Sequence, residues 1–132
     1  MKLKLQVVTP TRTVVATEAD SVELPGELGY LGVLPGHTPL ITVLKAGVLT
    51  YREGASDHAL AISGGFAEIA GDTVTVLADL AEEPGEVDVA AAERERSRAE
   101  EDLKSASRET LEEVRTRLEL AEARLAIAKK GR

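Results

Sequence analysis

The sequence predicts an all-β N-terminal sandwich in residues 1–84, followed by a C-terminal antiparallel α-helical hairpin in residues 85–132. Two observations carry this prediction. Nine of the eleven glycines, four of the five prolines and all three aromatic residues lie before Pro84, so the first segment can turn tightly many times. From Glu86 to Lys130 there is no glycine, proline or aromatic residue, and the segment consists mainly of helix-forming Ala, Glu, Arg, Leu and Lys.

Composition and charge exclude several classes of protein. The chain of 132 residues has no cysteine, which excludes a disulfide framework and a thiolate metal site. It has no apolar run approaching the length of about 20 residues that spans a bilayer, and residues 1–6 alternate charged and apolar side chains, unlike a signal peptide. With a net charge of −7, mostly in residues 1–85, it should avoid nucleic acid and anionic lipid. We therefore expect membrane association only through a partner.

Short apolar runs between turn residues predict the strands. Residues 3–7 alternate apolar and polar side chains, the period-two pattern of a half-buried strand. Seven further runs are separated by turn residues at intervals of about 8–12 residues, as in antiparallel sandwiches and barrels. These runs are Thr13–Ala19, Ser21–Leu24, Leu40–Leu44, Val48–Tyr51, Ala59–Ile62, Phe66–Ile69 and Val74–Leu77. Residues 25–39 are dense in glycine and proline, and we predict a long loop there that carries apolar side chains.

The second half divides into two helices near residues 105–107. Asp88 is a suitable N-cap for a first helix that extends to about Lys104. Ser107 or Thr110 begins the second helix, and Thr110 with Glu113 has the spacing of a capping box.

An apolar stripe on each helix predicts that the two form an antiparallel hairpin. On the second helix, apolar residues recur at steps of three and four, at Leu111, Val114, Leu118, Ala121, Leu125 and Ala128. The first helix offers only Val89, Ala92, Ala99 and Leu103, interrupted by Arg96. Because alanine buries few methylene groups, we expect the hairpin to be weakly held. Ion pairs at i,i+4, Glu100–Lys104 and Glu113–Arg117, should add only tenths of a kcal/mol each.

Three blocks of sequence resemble the epsilon subunit of F-type ATP synthases. They are Gly-Tyr-Leu-Gly-Val-Leu-Pro-Gly-His-Thr-Pro-Leu at 29–40, Leu-Ala-Ile-Ser-Gly-Gly-Phe-Ala-Glu-Ile at 60–69 and Val-Thr-Val-Leu-Ala-Asp at 74–79. Their order and spacing match that family, and the Ala/Glu/Arg-rich tail lies where the family has two C-terminal helices. The resemblance implies a ten-stranded sandwich in residues 1–84 that binds the gamma subunit and the c ring, and a regulatory hairpin in residues 85–132.

The same resemblance implies a function. The chain would be a non-catalytic central-stalk (rotor) subunit that couples proton flow to ATP synthesis and inhibits ATP hydrolysis through its C-terminal helices. Its partners would be the gamma subunit, the c-subunit ring, and the alpha and beta subunits of the catalytic head. It would lie at the cytoplasmic face of a bacterial cell membrane as a peripheral subunit, with the chloroplast thylakoid as the alternative location. An alternative of another class is a free-standing nucleotide-sensing or adaptor module on the same scaffold.

The predicted loop at 25–39 contains the candidate partner-binding residues. By resemblance, Tyr30, Leu31 and His37 would contact the c ring or gamma, and apolar side chains exposed on a loop suit such a contact. The alternative interpretation is that Leu31, Val33 and Leu34 fold back and fill the end of the sandwich.

No catalytic or metal site is expected. His37 and His58 lie in separate turns with no cysteine and no cluster of acidic ligands, so the pattern does not indicate a metal site. Ser63 lacks the strand–Gly-x-Ser-x-Gly–helix context of a nucleophile elbow, and there is no phosphate-binding Gly-x-x-x-x-Gly-Lys-Ser/Thr motif. We therefore predict no catalytic residue and no required cofactor.

A regulatory nucleotide site is the remaining candidate. Relatives that bind ATP on the hairpin carry a hydrophobic-Asp-x-x-Arg-Ala motif, where this chain has Val-Asp-Val-Ala-Ala-Ala at 87–92, with Ala91 in place of the arginine. Leu120 stands where those relatives have a second arginine. The positions of that site that this chain keeps are Glu82, Asp88, Arg98 and Arg124. The alternatives are a plain helix cap for Asp88 and solvated helix faces for the two arginines, so we expect ATP binding to be weak or absent.

Overall fold

The computed structural model describes residues 1–130, so the last two residues of the predicted hairpin domain lie outside the described part. The strands are β1 Leu3–Val8, β2 Thr13–Ala19, β3 Ser21–Gly26, β4 Gly29–Val33, β5 Leu40–Leu44, β6 Gly47–Glu53, β7 Ser56–Ile62, β8 Gly65–Ala70, β9 Thr73–Ala78 and β10 Ala81–Glu82. A single turn of 3₁₀ helix, Pro84–Glu86, leads to α1 Val89–Lys104 and α2 Leu111–Lys130. The predicted fold class, a β-sandwich of about ten strands followed by a helical hairpin, is confirmed.

One folded-over sheet forms the sandwich, in the order β10-β7-β6-β3-β5-β8-β9-β1-β2, with β4 paired to β3 outside this path. The pairs are antiparallel except for β1 and β9, which run parallel. Strand β2 also contacts β6, so the two layers meet at that side. Leu3, Leu5 and Val7 are completely buried between the layers, as their alternation predicts.

The predicted loop at 25–39 is wrong in its first half, because β3 continues to Gly26 and β4 begins at Gly29. The two strands form a hairpin in which Pro25 pairs with Tyr30. A Cβ at Gly26 would lie 2.7 Å from the carbonyl oxygen of Gly29, and Gly29 itself has a φ of 136°, which only glycine adopts readily. Glycine therefore permits a tight strand connection here rather than a loop.

The predicted helix boundaries are confirmed, since α1 extends to Lys104 and α2 begins directly after Thr110, but the capping of α2 differs from the prediction. Asp88 caps α1, since its Oδ1 accepts a hydrogen bond from the Ala91 N–H at 3.0 Å. At the start of α2, the Thr110 hydroxyl oxygen accepts a hydrogen bond from the Ser107 N–H at 3.0 Å. The predicted capping box of Thr110 with Glu113 is therefore replaced by a bond to the residue three positions earlier.

Helix α2 has two buried faces, of which the sequence predicted one. Val114, Ala121 and Ala128 of the predicted stripe are buried. A second face, with Ala123 and Ile127, lies against Ala61 of β7. Helix α2 is thus the helix that contacts strands β6 and β7, and α1 packs chiefly on α2.

The predicted i,i+4 ion pairs are wrong, because the basic side chains find other partners. Arg117 binds across the hairpin to Glu95 and Asp102 of α1, at 3.0 Å each. Lys104 pairs with Glu101 at 3.3 Å. Neither helix of the described chain is both long and apolar enough to cross a membrane.

Candidate functional site

Tyr30 lies beside the docked hairpin. The residue is 57% exposed, and its hydroxyl oxygen accepts a hydrogen bond from the Val48 N–H of β6 at 3.2 Å. Tyr30 and Val48 line a cavity of about 220 Å³ together with Ala126 and Ile127 of α2. The tyrosine ring therefore borders the junction between the sandwich and the hairpin.

Leu31 and Val33 pack into the sandwich core. Val33 is buried and Leu31 is half-buried against the core, whereas Leu34 is mostly exposed. The alternative interpretation, in which this segment fills the sandwich, thus fits Leu31 and Val33 but not Leu34.

His37 lies in the turn that follows β4. Its backbone N–H donates to the Leu34 carbonyl oxygen at 3.1 Å, and its ring Nδ1 lies 2.6 Å from the carbonyl oxygen of Thr38. The Gly36 N–H donates to Asp72 Oδ1 at 2.7 Å, which ties this turn to the connection between β8 and β9. A strand rises about 3.3 Å per residue, so Tyr30 and the His37 turn lie toward opposite ends of β4. The structure does not bring the three predicted contact residues together.

A row of apolar side chains faces solvent on β5, β8 and β9. Val43, Phe66 and Leu77 are direct cross-strand neighbours, and Ile41 lies two residues from Val43 on the same side of β5. Phe66, Leu77 and Ile41 are 55%, 54% and 71% exposed. We call these four residues the apolar strip. The sequence contains one signal for this strip. Phe66 and Glu68 are two residues apart and therefore share a face of β8, and a charged residue on that face indicates that Phe66 also faces solvent.

A second candidate region is a cleft where the hairpin meets the end of the sheet. The cleft has a volume of about 360 Å³. It is lined by Glu82, Glu86, Asp88, Ala91, Ala92, Glu95, Arg117, Leu120 and Arg124. Three of the four predicted nucleotide-binding residues, Glu82, Asp88 and Arg124, therefore come together. The fourth, Arg98, is exposed on α1 and does not line the cleft.

The polar groups of this cleft bind one another. Arg124 Nε donates to Glu82 Oε1 at 2.5 Å, and Arg117 is held by Glu95 and Asp102. The hydrogen bond that Arg117 donates to Glu95, with a second donated to Asp102, raises the pKa of Arg117. Both arginines that could bind phosphate are thus engaged by carboxylates.

Glu86, Glu95 and Arg117 line the cleft without having been predicted. A salt bridge of 2.8 Å joins Glu86 to Arg12, which approaches from the connection between β1 and β2. The hydrogen bond from Arg12, with that from the Glu83 N–H, lowers the pKa of Glu86. Four carboxylates and two guanidinium groups line the cleft, so its acidic balance opposes an entering triphosphate.

The two histidines do not meet. His58 stacks on Tyr51 with 4.9 Å between ring centroids, and its Nε2 lies 2.9 Å from Glu53. Ser63 Oγ is buried and makes no hydrogen bond. Within residues 1–130, no group of three or more His, Cys, Asp or Glu side chains is arranged to hold a metal ion.

Comparison with known proteins places the fold in a family. Residues 2–84 match the family described as ATP synthase, Delta/Epsilon chain, beta-sandwich domain. The ATP synthase epsilon chain of Syntrophobacter fumaroxidans is 45% identical over 131 residues, which cover 98% of this chain and 97% of that one. That of Moorella thermoacetica is 50% identical over 103 residues, or 77% of each chain.

Two solved assemblies contain chains of similar fold. One is the mitochondrial ATP synthase of Euglena gracilis (OSCP/F1/c-ring), whose chain matches with a TM-score of 0.80 and 22% identity over 95% of this chain and 80% of that chain. The other is the central stalk/c-ring of the Tetrahymena thermophila mitochondrial enzyme, with a TM-score of 0.56 and 16% identity over 67% of this chain and 71% of that one. Sequence identity over nearly the full length, together with the family match, shows that the chain belongs to the ATP synthase epsilon chain family.

Proposed function

We propose that this chain is a non-catalytic subunit of the central stalk of an F-type ATP synthase, coupling proton translocation to ATP synthesis. Family membership supports this function, and the solved assemblies with a similar fold are an F1/c-ring complex and a central stalk/c-ring complex. The complex would lie at the cytoplasmic face of a bacterial membrane, and this subunit would reach the membrane only through its partners.

The apolar strip is the observation that carries the proposal. Scattered apolar side chains are common on protein surfaces, but a contiguous row of large ones marks a contact surface. The strip lies on β5, β8 and β9, away from the strands β6 and β7 that contact the hairpin. We propose that the gamma subunit covers it.

The c ring is proposed to contact the His37 turn. Leu34 offers an exposed apolar side chain next to this turn, whereas Leu31 is engaged in the core. Tyr30 remains a candidate for a contact at the hairpin junction. Docking of one partner on the face of β5, β8 and β9 and of the other at the turn that precedes β5 would let one small domain join the stalk to the ring.

Regulation is proposed to come from the hairpin. In a released form, basic side chains of α2 could reach acidic surfaces of the alpha and beta subunits and inhibit ATP hydrolysis. No cofactor is needed for this function, and regulatory ATP would bind weakly at most, because Arg117 and Arg124 are held by carboxylates. Because these two arginines are already paired with carboxylates, the alternative function as a nucleotide-sensing module is disfavoured.

Binding to purified gamma subunit tests the proposal. Replacing Phe66 and Leu77 together by Asp should raise the Kd at least about 30-fold, the effect of losing a binding hot spot of about 2 kcal/mol. The matched control is Leu28→Asp, because Leu28 is as exposed as an apolar residue can be but lies in the turn between β3 and β4. Unchanged affinity of the double variant, with a normal circular dichroism spectrum, would contradict the proposed contact.

Hydrolysis assays test the regulatory part. ATP hydrolysis by the catalytic head should rise when residues 86–132 are deleted from the bound subunit. Equal rates with the full and shortened chains would show that the hairpin does not inhibit this enzyme.

A further inference from the structure

Helix α2 is held on the sandwich by two ion pairs of opposite polarity. On one side, Lys45 of the sandwich lies 2.9 Å from Glu119 of the helix. On the other side, Glu82 of the sandwich accepts a hydrogen bond from Arg124 of the helix at 2.5 Å. The sandwich therefore presents a cation at one flank of the helix and an anion at the other.

Between the two pairs lies a narrow apolar contact. Its buried members are Ala61 of β7 and Ala123 and Ile127 of α2, with Val48, Ala59 and Val87 packed at the margin. At about 100° per residue, Ala123 and Ile127 lie about 40° and 80° around the helix from Glu119, and Arg124 lies about 140° from it. The charged residues thus border the apolar face of α2 on its two sides.

This placement specifies the direction in which α2 docks. A helix that lay on the same face in the reverse direction would exchange its two flanks. Glu119 would then meet Glu82, and Arg124 would meet Lys45, so two attractive pairs would become two repulsive ones. A contact built mainly from alanine and a single isoleucine has little shape of its own to prevent such reversal or sliding.

We propose that the pairs Glu82–Arg124 and Lys45–Glu119 form a charge clasp that fixes the direction of α2 and keeps the hairpin docked without a bound nucleotide. The clasp deepens the regulatory part of the proposed function, because its opening is the step that would release the hairpin. Arg124 is one of the two arginines that line the cleft, and Glu82 already holds it as an ion-pair partner. The docked form therefore already contains the charge pairing that a nucleotide would otherwise supply.

The two pairs should differ in strength. The side chains of Glu82 and Arg124 are 23% and 24% exposed, and those of Lys45 and Glu119 are 46% and 36% exposed. Solvent screens the second pair more strongly. Arg124→Glu should therefore increase the released population about tenfold, the size of a lost charge-assisted hydrogen bond, and Lys45→Glu about threefold.

Distance measurements on the full chain test the clasp. Because the natural sequence has no cysteine, Ser56→Cys and Glu122→Cys introduce two unique sites for spin labels, both at exposed positions on the sandwich and on α2. Arg124→Glu and Glu82→Arg should each move population from the short, docked distance to longer ones. The combination of both substitutions should restore the short distance. Arg115→Glu is the matched control, because Arg115 lies on α2 but pairs with Glu112 of the same helix.

Each outcome decides the inference. Failure of the combined variant to restore docking, or docking unchanged in both single variants, would overturn the clasp. A shift of the unsubstituted chain toward the short distance on addition of millimolar Mg-ATP would overturn its independence of nucleotide. Binding of gamma to the same variants separates the two proposals, since the clasp variants leave the apolar strip intact and should bind gamma normally.

Discussion

The sandwich and the hairpin are stabilised by different means. Within the described residues, seven fully buried Leu and Ile side chains lie in the sandwich, whereas the hairpin contributes Ile127 alone. The remaining buried residues of the two helices are five alanines and Val114. Salt bridges link the helices to each other and to the sandwich, through Arg117, Arg124 and Glu119. A region held by aliphatic burial should unfold as a unit, and one held by alanine contacts and partly exposed ion pairs should open at much lower cost.

The largest effect is expected in the sandwich core. Leu49→Ala should lower the free energy of unfolding by about 2–5 kcal/mol, because it leaves a cavity around a completely buried side chain of β6. Urea denaturation followed by circular dichroism measures this change. Leu28→Ala, at a fully exposed position, should leave the midpoint unchanged. If Leu49→Ala were equally harmless, the distinction between the two regions would not hold.

Removal of the hairpin is expected to cost less than one core substitution. A chain of residues 1–84 should melt cooperatively and bind gamma, with a loss of about 1–2 kcal/mol, since the deletion uncovers little beyond Ala61 and its neighbours. Calorimetry gives the melting transition, and gamma binding reports the state of the strip. A fragment without a cooperative transition would show that the sandwich depends on its helices.

A ligand that binds the cleft should be able to stabilise the hairpin without stabilising the sandwich. Ala91 lines the cleft, and Ala91→Arg restores the missing arginine of the motif there. We expect ATP affinity to increase at least about tenfold, or about 1.4 kcal/mol, the lower range of a charge-assisted contact. Calorimetric titration measures the affinity, and hydrogen exchange should show protection in α1 and α2 but not in the sandwich. Tight ATP binding by the unsubstituted chain would instead show that the paired arginines exchange partners easily.

The smallest effect concerns acid stability at the connection between the two regions. The Arg12 hydrogen bond lowers the folded-state pKa of Glu86 below its ordinary value of 4.5. The stabilisation is therefore present above pH 4.5 and is lost as the pH falls through the lowered folded-state value. Glu86→Gln should cost about 0.5 kcal/mol or less at pH 7, because the pair is largely solvated, and should flatten the stability profile below pH 4.5. Denaturation midpoints between pH 3 and pH 7 check this; an unchanged slope would mean that the pair is too screened to matter.

Much of the fold was predictable because local pattern and burial agree. The alternation of apolar and polar side chains in β1 is compatible only with a half-buried strand. The composition of residues 86–130, without glycine, proline or aromatic residues, is compatible only with helices. Strand β4 was missed because its two glycines suggested a loop. Strand β10 was missed because two residues are too few to show an alternation of apolar and polar side chains. The second face of α2 was missed because Ala123 and Ile127 acquire a partner only when β7 lies beside them.

The candidate site was less predictable than the fold. Resemblance selected Glu82, Asp88 and Arg124, which do share a cleft, but also Arg98, which points elsewhere on the surface of α1. The partners that neutralise the arginines come from distant positions, such as Glu95 and Asp102 for Arg117. Which charged side chains pair between separate elements depends on how those elements pack together. The spacing of residues along the sequence does not reveal that packing.

The parallel pairing of β1 with β9 has a consequence for the order of folding. Residues 4–8 can complete their sheet only after residues 73–77 exist, so the sandwich closes late, through contacts between the two ends of its sequence. Strands β6 and β7, by contrast, are adjacent in sequence and form a local hairpin. The surface on which α2 docks can therefore form before the sandwich is closed, and during synthesis the docking platform should be ready before the helix that uses it has been made.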